Sequence, residues 1–288
     1  MAWDIAVAGT LHRDDIITPR GRATTLGGSA AYFALAAARY SRVLVNAIIG
    51  RDTHADYVAM LEAANTGMSG VVVSPTPTFV WHAEHDFERW VTAWESAEPG
   101  CDPEWDPRLD DASHDAPVLF LGSLHPRLQR AVAGQSGARL IGADSMTVFM
   151  RDDGSAVREV AESADILFLN TEEVQLLAGV EGWREAARSL CGRGRLRAVV
   201  VKQGPDGAAV VTAAGQHEVP AHPVAAVVDP TGAGDALAGG FLGLCAREAR
   251  DDEAVFADAL AEGARCAADA VSSFGTAALL GQPSPPPV

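Results

Sequence analysis

The sequence predicts an α/β fold, with a mostly parallel central sheet and helices on both faces. Three observations carry that prediction. Short apolar runs such as Val118–Leu121 and Ala198–Val201 lack the polar alternation of a half-wet strand, so both faces of each are buried. Helical stretches separate these runs in regular alternation, the pattern that links parallel strands through crossover helices. The chain of 288 residues, 48% hydrophobic and 21% charged, is also long enough to close one large core.

Trp3 to Gly9 reads as a first buried strand ending in glycine. Thr10 to Leu26 mixes charges, Pro19 and glycine, and reads as loop or short edge strands. Gly27-Gly28 then opens a small-residue helix from Ser29 to Arg39, which can pack closely on a sheet. Val43 to Ile49 is a strand, and Asp52 to Ala64 an amphipathic helix with Asp52 and Thr53 at its start. Further strands fall at Val118–Leu121, Arg139–Ala143, Ile166–Leu169 and Ala198–Val201, with helical segments near 125–133, 154–163 and 172–191. Ala208 to Pro220 forms a hairpin-like pair around Ala214-Gly215. The last third is helical, Ala233–Arg247 and Asp252–Phe274, before a Pro-rich tail (282–288) expected to be disordered.

Residues 75–115 break the alternation. They hold four of the six tryptophans, Trp81, Trp90, Trp94 and Trp105, among His, Asp, Glu and Pro. Thr78–Ala83 and Glu88–Ala93 alternate loosely, as two strands of an antiparallel flap would; a surface insertion covering the core is the other reading. A single domain over 1–281 follows, with lid segments at about 10–26 and 75–95.

The net charge of −16 argues against nucleic acid as the main partner, because phosphate backbones are bound through Lys and Arg. A nucleotide substrate stays open, since one local cradle and a divalent metal hold a polyphosphate on an acidic protein. Cys101, Cys191, Cys245 and Cys266 are far apart, without metal or disulfide spacing, and read as free thiols in a reducing compartment. No basic segment precedes an apolar stretch at the start, and no run approaches 18 apolar residues. Neither leader nor membrane span is expected, and the protein reads as cytoplasmic.

The most informative stretch runs from Val227 to Phe241. An apolar run ends in Asp229, followed by Pro230-Thr231-Gly232-Ala233-Gly234 and then Asp235 entering a small-residue helix. Glycines there let successive N–H groups point one way, making an anion site at a helix N-terminus. An acid inside an anion site repels phosphate unless it takes a proton from the group attacking that phosphate. Taken alone, the same residues also make an ordinary helix cap.

These pieces in this order resemble the ribokinase-like (PfkB-type) carbohydrate kinase family, from about Asp4 to Gly275. Asp229-Pro230-Thr231-Gly232-Ala233-Gly234-Asp235 is similar to the family signature D-T-x-G-A-G-D with one residue changed. Gly27-Gly28 opening a helix, Asn170-Thr171-Glu172-Glu173 after a strand, and Val201-Lys202-Gln203-Gly204-Pro205-Asp206-Gly207 match three further motifs. The resemblance implies a three-layer sandwich with a small β lid over the substrate. It also implies transfer of the γ-phosphate of ATP to a hydroxyl, expected to be a primary one, of a small sugar or sugar-like acceptor, with a nucleoside as the alternative. Asp235 is then the base, and the amides of Gly232, Ala233 and Gly234 hold the transferring phosphoryl group. Asn170 and Glu173 position Mg²⁺ through water, with Asp229 joining them. Lys202, Gly204, Gly207, Thr231 and the loop around His222 border the nucleotide. Asp14 and Gly28 hold the acceptor. On their own residues, Asn170 is a helix cap and Glu173 a first-turn acid.

Two departures mark the acceptor end. Tyr32 stands where the family carries a substrate-binding Asn, which implies a flatter, more apolar site able to stack on a base or sugar face. Thr147 replaces an amide in Asp144-Ser145-Met146-Thr147, which weakens Asp144 as a site residue. Relatives pair such lids across a homodimer, with Trp81 or Trp90 as the anchor here. A monovalent cation, held by backbone carbonyls in relatives, leaves no side-chain signature to read. A non-catalytic relative is the competing class, and the intact glycines and base argue against it. A dinucleotide-binding enzyme is disfavoured because Gly9 is followed by Thr-Leu-His-Arg, not by the glycine-rich turn.

Overall fold

The apolar runs form strands of one nine-stranded sheet, and the helices between them carry the crossovers. The computed structural model describes residues 2–89 and 91–285. In chain order, the first half contains β1 (Ile5–Ala8), β2 (His12–Thr18), β3 (Gly21–Gly27), α1 (Ser29–Ala37), β4 (Val43–Gly50), α2 (Arg51–Glu62), β5 (Thr66–Ser74), β6 (Val80–Asp86), β7 (Val91–Glu98) and α3 (Asp111–His114). Then come β8 (Val118–Leu121), α4 (Pro126–Ala133), β9 (Leu140–Asp144), α5 (Thr147–Ser163), β10 (Ile166–Asn170), α6 (Thr171–Ala178), α7 (Trp183–Leu190) and β11 (Ala198–Lys202). The chain finishes with β12 (Ala208–Thr212), β13 (Gln216–Val219), α8 (Ala233–Glu248) and α9 (Glu253–Val271).

The large sheet has the order β13-β12-β11-β10-β9-β8-β1-β4-β5. Neighbours from β11 to β5 pair parallel, and β12 and β13 extend the sheet antiparallel. Alternate residues feed opposite cores: Ile5 and Val7 join the side of α1, α8 and α9, while Ala6 and Ala8 face α4 to α7. That makes three layers. β1 lies between β4 and β8, so the crossovers diverge on its two sides; a crevice opens at the strands' carboxyl ends where that happens. Helices α1, α8 and α9 cover one face at glycine-close range. A Cβ added to Gly240 would come within 2.9 Å of Cys266 Sγ, and one on Gly263 within 2.6 Å of Leu237 O.

A second sheet, β3-β2-β6-β7, stands over the crevice. The reading of 10–26 as loop or short edge strands is corrected here, because β2 and β3 are seven-residue partners in an antiparallel hairpin. Their outer face is ionic: Arg22 donates to both carboxylate oxygens of Asp15, at 2.9 and 2.5 Å. Charges on one face and hydroxyls at the ends hid the strand period. The inner face has a small core of Ile16, Ala23, Ala83 and Phe274, with Trp81 and Val228 packed on it. Thr18 Oγ1 ties the lid to the body by donating to Val228 O at 2.9 Å.

Three further differences have local causes. Strand β5 was not foreseen, since Gly67 and Gly70 interrupt it and Val72 and Val73 are exposed on the sheet edge. The segment 172–191 is two helices, because Gly179 in the left-handed region (φ 68°) ends α6. The start of the tail is anchored: Gln282 N donates to Ala277 O (2.9 Å) and Phe274 N to Ser284 Oγ (3.1 Å). Residues 286–288 and Trp90 lie outside the described residues. Among the described residues no helix is long and apolar enough to cross a membrane.

Candidate active site

The carboxyl ends of the parallel strands and the underside of the lid enclose a cavity of about 940 Å³. The segment 227–241 enters it as the sequence pattern requires. Asp229 Oδ1 accepts from Thr231 N at 2.9 Å, which folds the chain back toward α8. Gly232 then takes a left-handed conformation (φ 73°), open to glycine at little cost, and any Cβ there would collide with the Tyr32 ring. Asp235 sits in the first turn of α8, whose dipole favours its charge. Its carboxylate is nonetheless buried, with Oδ1 lacking any hydrogen-bond partner. Burial and the charge of Asp144, against the opposing pull of Lys202, push Asp235 up to about 7.

Lys202 comes from the end of β11. Its Nζ donates to both oxygens of Asp144, at 3.0 and 2.8 Å. It also lies against Gly234, where a Cβ would come within 3.0 Å of Nζ. Burial works to lower the Lys202 pKa, but Asp144 and Glu173 together outweigh it and hold the ammonium above its ordinary value. Asp144, weighted low in the sequence, is therefore the carboxylate that fixes this cation. The missing signal was the partner, which arrives from a strand two places away in the sheet.

Asn170 and Glu173 form a reciprocal capping box. Asn170 Oδ1 accepts from Glu172 N and Glu173 N (2.9 and 2.8 Å), and Glu173 Oε2 accepts from Asn170 N (2.8 Å). The cap reading of Asn170 is thus literally present. Glu173, however, is 6% exposed rather than solvated, and lines the cavity. Burial pushes it up to about 7, with Lys202 opposing and Asp144 adding to the shift. Its Oε1 and Asn170, both of residues lining the cavity, are hard oxygen donors that would suit a hydrated Mg²⁺, a set from which Asp144 is withheld because both its oxygens hold Lys202. Among the described residues no three acids, histidines or cysteines are grouped to hold a metal by themselves.

Asp229 does not join that set. Its oxygens face the amides of Thr231 (2.9 Å) and Gly275 (3.5 Å), with His85 Nε2 at 4.0 Å. Expected as a metal ligand, Asp229 is placed outside the cavity lining with its carboxylate holding its own loop. Ala233, Gly204 and Gly207 also lie outside the cavity lining. Gly204 opens the short turn between β11 and β12, and a Cβ on Gly207 would meet the backbone at Val219 and Ala221, so both glycines answer to the turn.

On the acceptor side, Asp14 is 2% exposed on β2. The Gly28 amide favours its ionised form, while burial and the charges of Asp229 and Asp235 raise its pKa well above the usual carboxylate range. Oδ2 has no hydrogen-bond partner and occupies the space a side chain at Gly27 would need. Tyr32 is corrected most sharply. It is 1% exposed, with its ring wedged beneath Gly232, so it offers no face for stacking; it lines the cavity, and its buried hydroxyl has no hydrogen-bond partner. Of the five buried side-chain polar atoms without partners among the described residues, those of Asp14, Tyr32, Ser145 and Asp235 belong to cavity-lining residues. Each such atom costs about 1–3 kcal/mol, a cost a polar ligand relieves.

Sequence reasoning missed His85. From lid strand β6 it reaches Thr231 Oγ1 (Nε2, 3.1 Å) and Thr92 Oγ1 (Nδ1, 3.3 Å), and Trp81 meets it edge-on at 6.0 Å. Burial holds its pKa below the ordinary imidazole value, with Asp229 working against that shift. Only the register of the lid could have located it.

A helix N-terminal glycine loop, a buried unpartnered acid and a fixed lysine define a phosphoryl-transfer site on this fold. The family model described as pfkB family carbohydrate kinase matches residues 3–282, and the chain belongs to that family. It is an ATP-dependent phosphotransferase acting on an alcohol group of a sugar or nucleoside. The chain is 28% identical over 250 residues to the cytidine kinase of Thermococcus kodakarensis, covering 83% of this chain and 87% of that protein. The adenosine kinase from Sinorhizobium meliloti shares the fold at a TM-score of 0.80 and 18% identity, over 96% of this chain and 95% of that one. The nucleoside kinase of Burkholderia thailandensis, in a structure with inosine, does so at 0.75 and 20% identity, over 97% and 94%.

Proposed function

We propose that this protein phosphorylates a hydroxyl of a nucleoside, with Asp235 as base and Asp14 as the reader of sugar hydroxyls. One observation carries the reading: two acids that line one cavity beside a glycine-rich helix start, Asp14 and Asp235, each carry a buried carboxylate oxygen with no hydrogen-bond partner. The nucleoside choice is supported by the cytidine kinase relative and by the aromatic lining beyond Asp14.

In the reaction, Asp14 accepts hydrogen bonds from sugar hydroxyls and so aims the attacking one at the phosphate. Asp235 takes its proton as the new O–P bond forms and the bond to the leaving ADP oxygen breaks. The amides of Gly232 and Gly234 and the Lys202 ammonium meet the charge that builds on the transferring phosphoryl oxygens. Asp144 keeps Lys202 at that position. Glu173 and Asn170 would hold Mg²⁺, which would supply neutralisation of the phosphate charge. The lid excludes water, so the acceptor's hydroxyl competes alone.

The test is Asp235→Asn with a nucleoside panel and an ADP-release assay. Turnover is expected to fall by about 10²–10⁴-fold while ATP still binds. Turnover near the native rate would remove Asp235 from the role. A homodimer through the lid is part of the same proposal. Strand β7 is the unpaired edge of the lid sheet, and along it Val91 and Trp94 are 47% and 54% exposed. Light scattering at micromolar concentration is expected to give twice the 30.0 kDa chain mass, and Trp94→Glu to give the single mass.

A further inference from the structure

Ile48 on β4 and Lys202 on β11 both line the cavity, five strand spacings apart in the sheet, about 24 Å at ordinary strand separation. A phosphate chain and one sugar do not fill that length. The stretch beyond Asp14 is walled by rings: His12 stacks on Phe79 (centroids 4.0 Å apart, 23° between planes), and Trp105 lies beside them with Ile48 and Leu124. This is a slot for a flat, largely apolar group.

A carboxylate, Asp102, interrupts the rings, while Asp86 and Glu95 line the cavity from the lid strands. Asp102 opens a short 3₁₀ turn, Asp102–Glu104, and its Oδ2 is 2.9 Å from His12 Nε2. The turn is pinned. Glu104 accepts from Ser74 Oγ at 2.6 Å and from Thr76 Oγ1, and Gly100 turns the chain (φ 48°) against the backbone of Pro77 to Phe79. Asp102 is therefore a fixed carboxylate lining the cavity, its side chain 27% exposed, and Oδ1 has no hydrogen-bond partner among the described residues. His12 and Asp14 stand two residues apart on the same face of β2, a spacing of about 7 Å. That is about the separation between the vicinal hydroxyls of a ribose and the hydrogen-bonding edge of its base.

We propose that the acceptor is a nucleoside whose base carries an exocyclic amino group, and that Asp102, braced by His12, accepts a hydrogen bond from that group. The inference rests on the nucleoside reading above. A carboxylate only accepts, so an amino group of cytosine or adenine fits it. The keto oxygen of uracil or hypoxanthine would meet it acceptor to acceptor. A site that pairs a fixed polar group with the ligand rejects the mismatched analogue more strongly than an apolar slot does.

The experiment measures kcat/KM of the intact protein with ATP and Mg²⁺ for cytidine, uridine, adenosine, inosine and free ribose. The native protein is expected to prefer the amino member of each base pair by at least about tenfold. Asp102→Asn, whose amide both donates and accepts, is expected to bring those ratios to within about threefold, through KM of the amino substrate rather than kcat. N4,N4-dimethylcytidine, which has no N–H to give, is expected to fall about tenfold or more below cytidine with the native protein, a measurement independent of any variant. Nucleoside turnover with equal amino and keto ratios, or ratios that Asp102→Asn leaves unmoved, overturns the Asp102 assignment and leaves the nucleoside reading standing. Turnover of ribose with no nucleoside turned over overturns both.

Discussion

At the residue scale, the proposed chemistry rests on a few acids held in unfavourable places. Asp235 and Glu173 are both pushed up to about 7 by burial, in sites where a solvated acid would be ionised well below that. A general base works only as the carboxylate, so activity falls as protons are added. The acid limb of kcat/KM, which reports the free enzyme, is expected to rise between about pH 6 and pH 8 and then level. A profile already flat from pH 5 would show that Asp235 titrates elsewhere. Asp235 was legible in the sequence because the glycines and the acid are contiguous. The orphaned state of Asp14 Oδ2 was not, since Gly27 and Gly28 shape it from the end of another strand.

At the element scale, the lid and the glycine loop are joined by one histidine. His85 crosses from β6 to Thr231 Oγ1, next to the first glycine of the anion site. His85→Ala removes that hydrogen bond and a buried ring. It is expected to raise the acceptor KM roughly tenfold, corresponding to one lost net hydrogen bond, with a smaller change in the KM for ATP. Equal changes in both would point to a general loss of packing. The lid itself shows where element reading from sequence stops. β6 and β7 alternate well enough to be expected as a flap, but β2 and β3 expose paired charges, Asp15 and Arg22, on the outer face. Their strand character comes from pairing with each other and with β6, which no local pattern records.

At the scale of the whole molecule, the crevice concentrates carboxylates that the fold keeps from water. A group whose folded pKa is raised adds stability that is complete below its unfolded value and lost as pH rises through the folded one. Asp235 and Glu173, both at about 7 when folded and ionised well below that when unfolded, therefore make the ligand-free protein less stable as pH rises from about 5 to about 7, after which the loss levels off. The melting temperature is expected to drop by a few degrees across that window, and less with ATP and Mg²⁺ bound, because a cation offsets the same charges. An unchanged or rising melting temperature would contradict the buried-acid picture. The sequence by itself determined the parallel α/β sheet, the glycine loop with its acid, and hence the phosphoryl chemistry, because each is written in contiguous residues whose local preferences agree. The tertiary structure alone decided that Tyr32 is a wedge under Gly232, that Asp144 holds Lys202, that His85 latches the lid, and that Asp102 stands in an aromatic slot. Those pairings join residues 58 to 146 positions apart or set a ring beneath a distant loop, and packing rather than propensity brings such groups together.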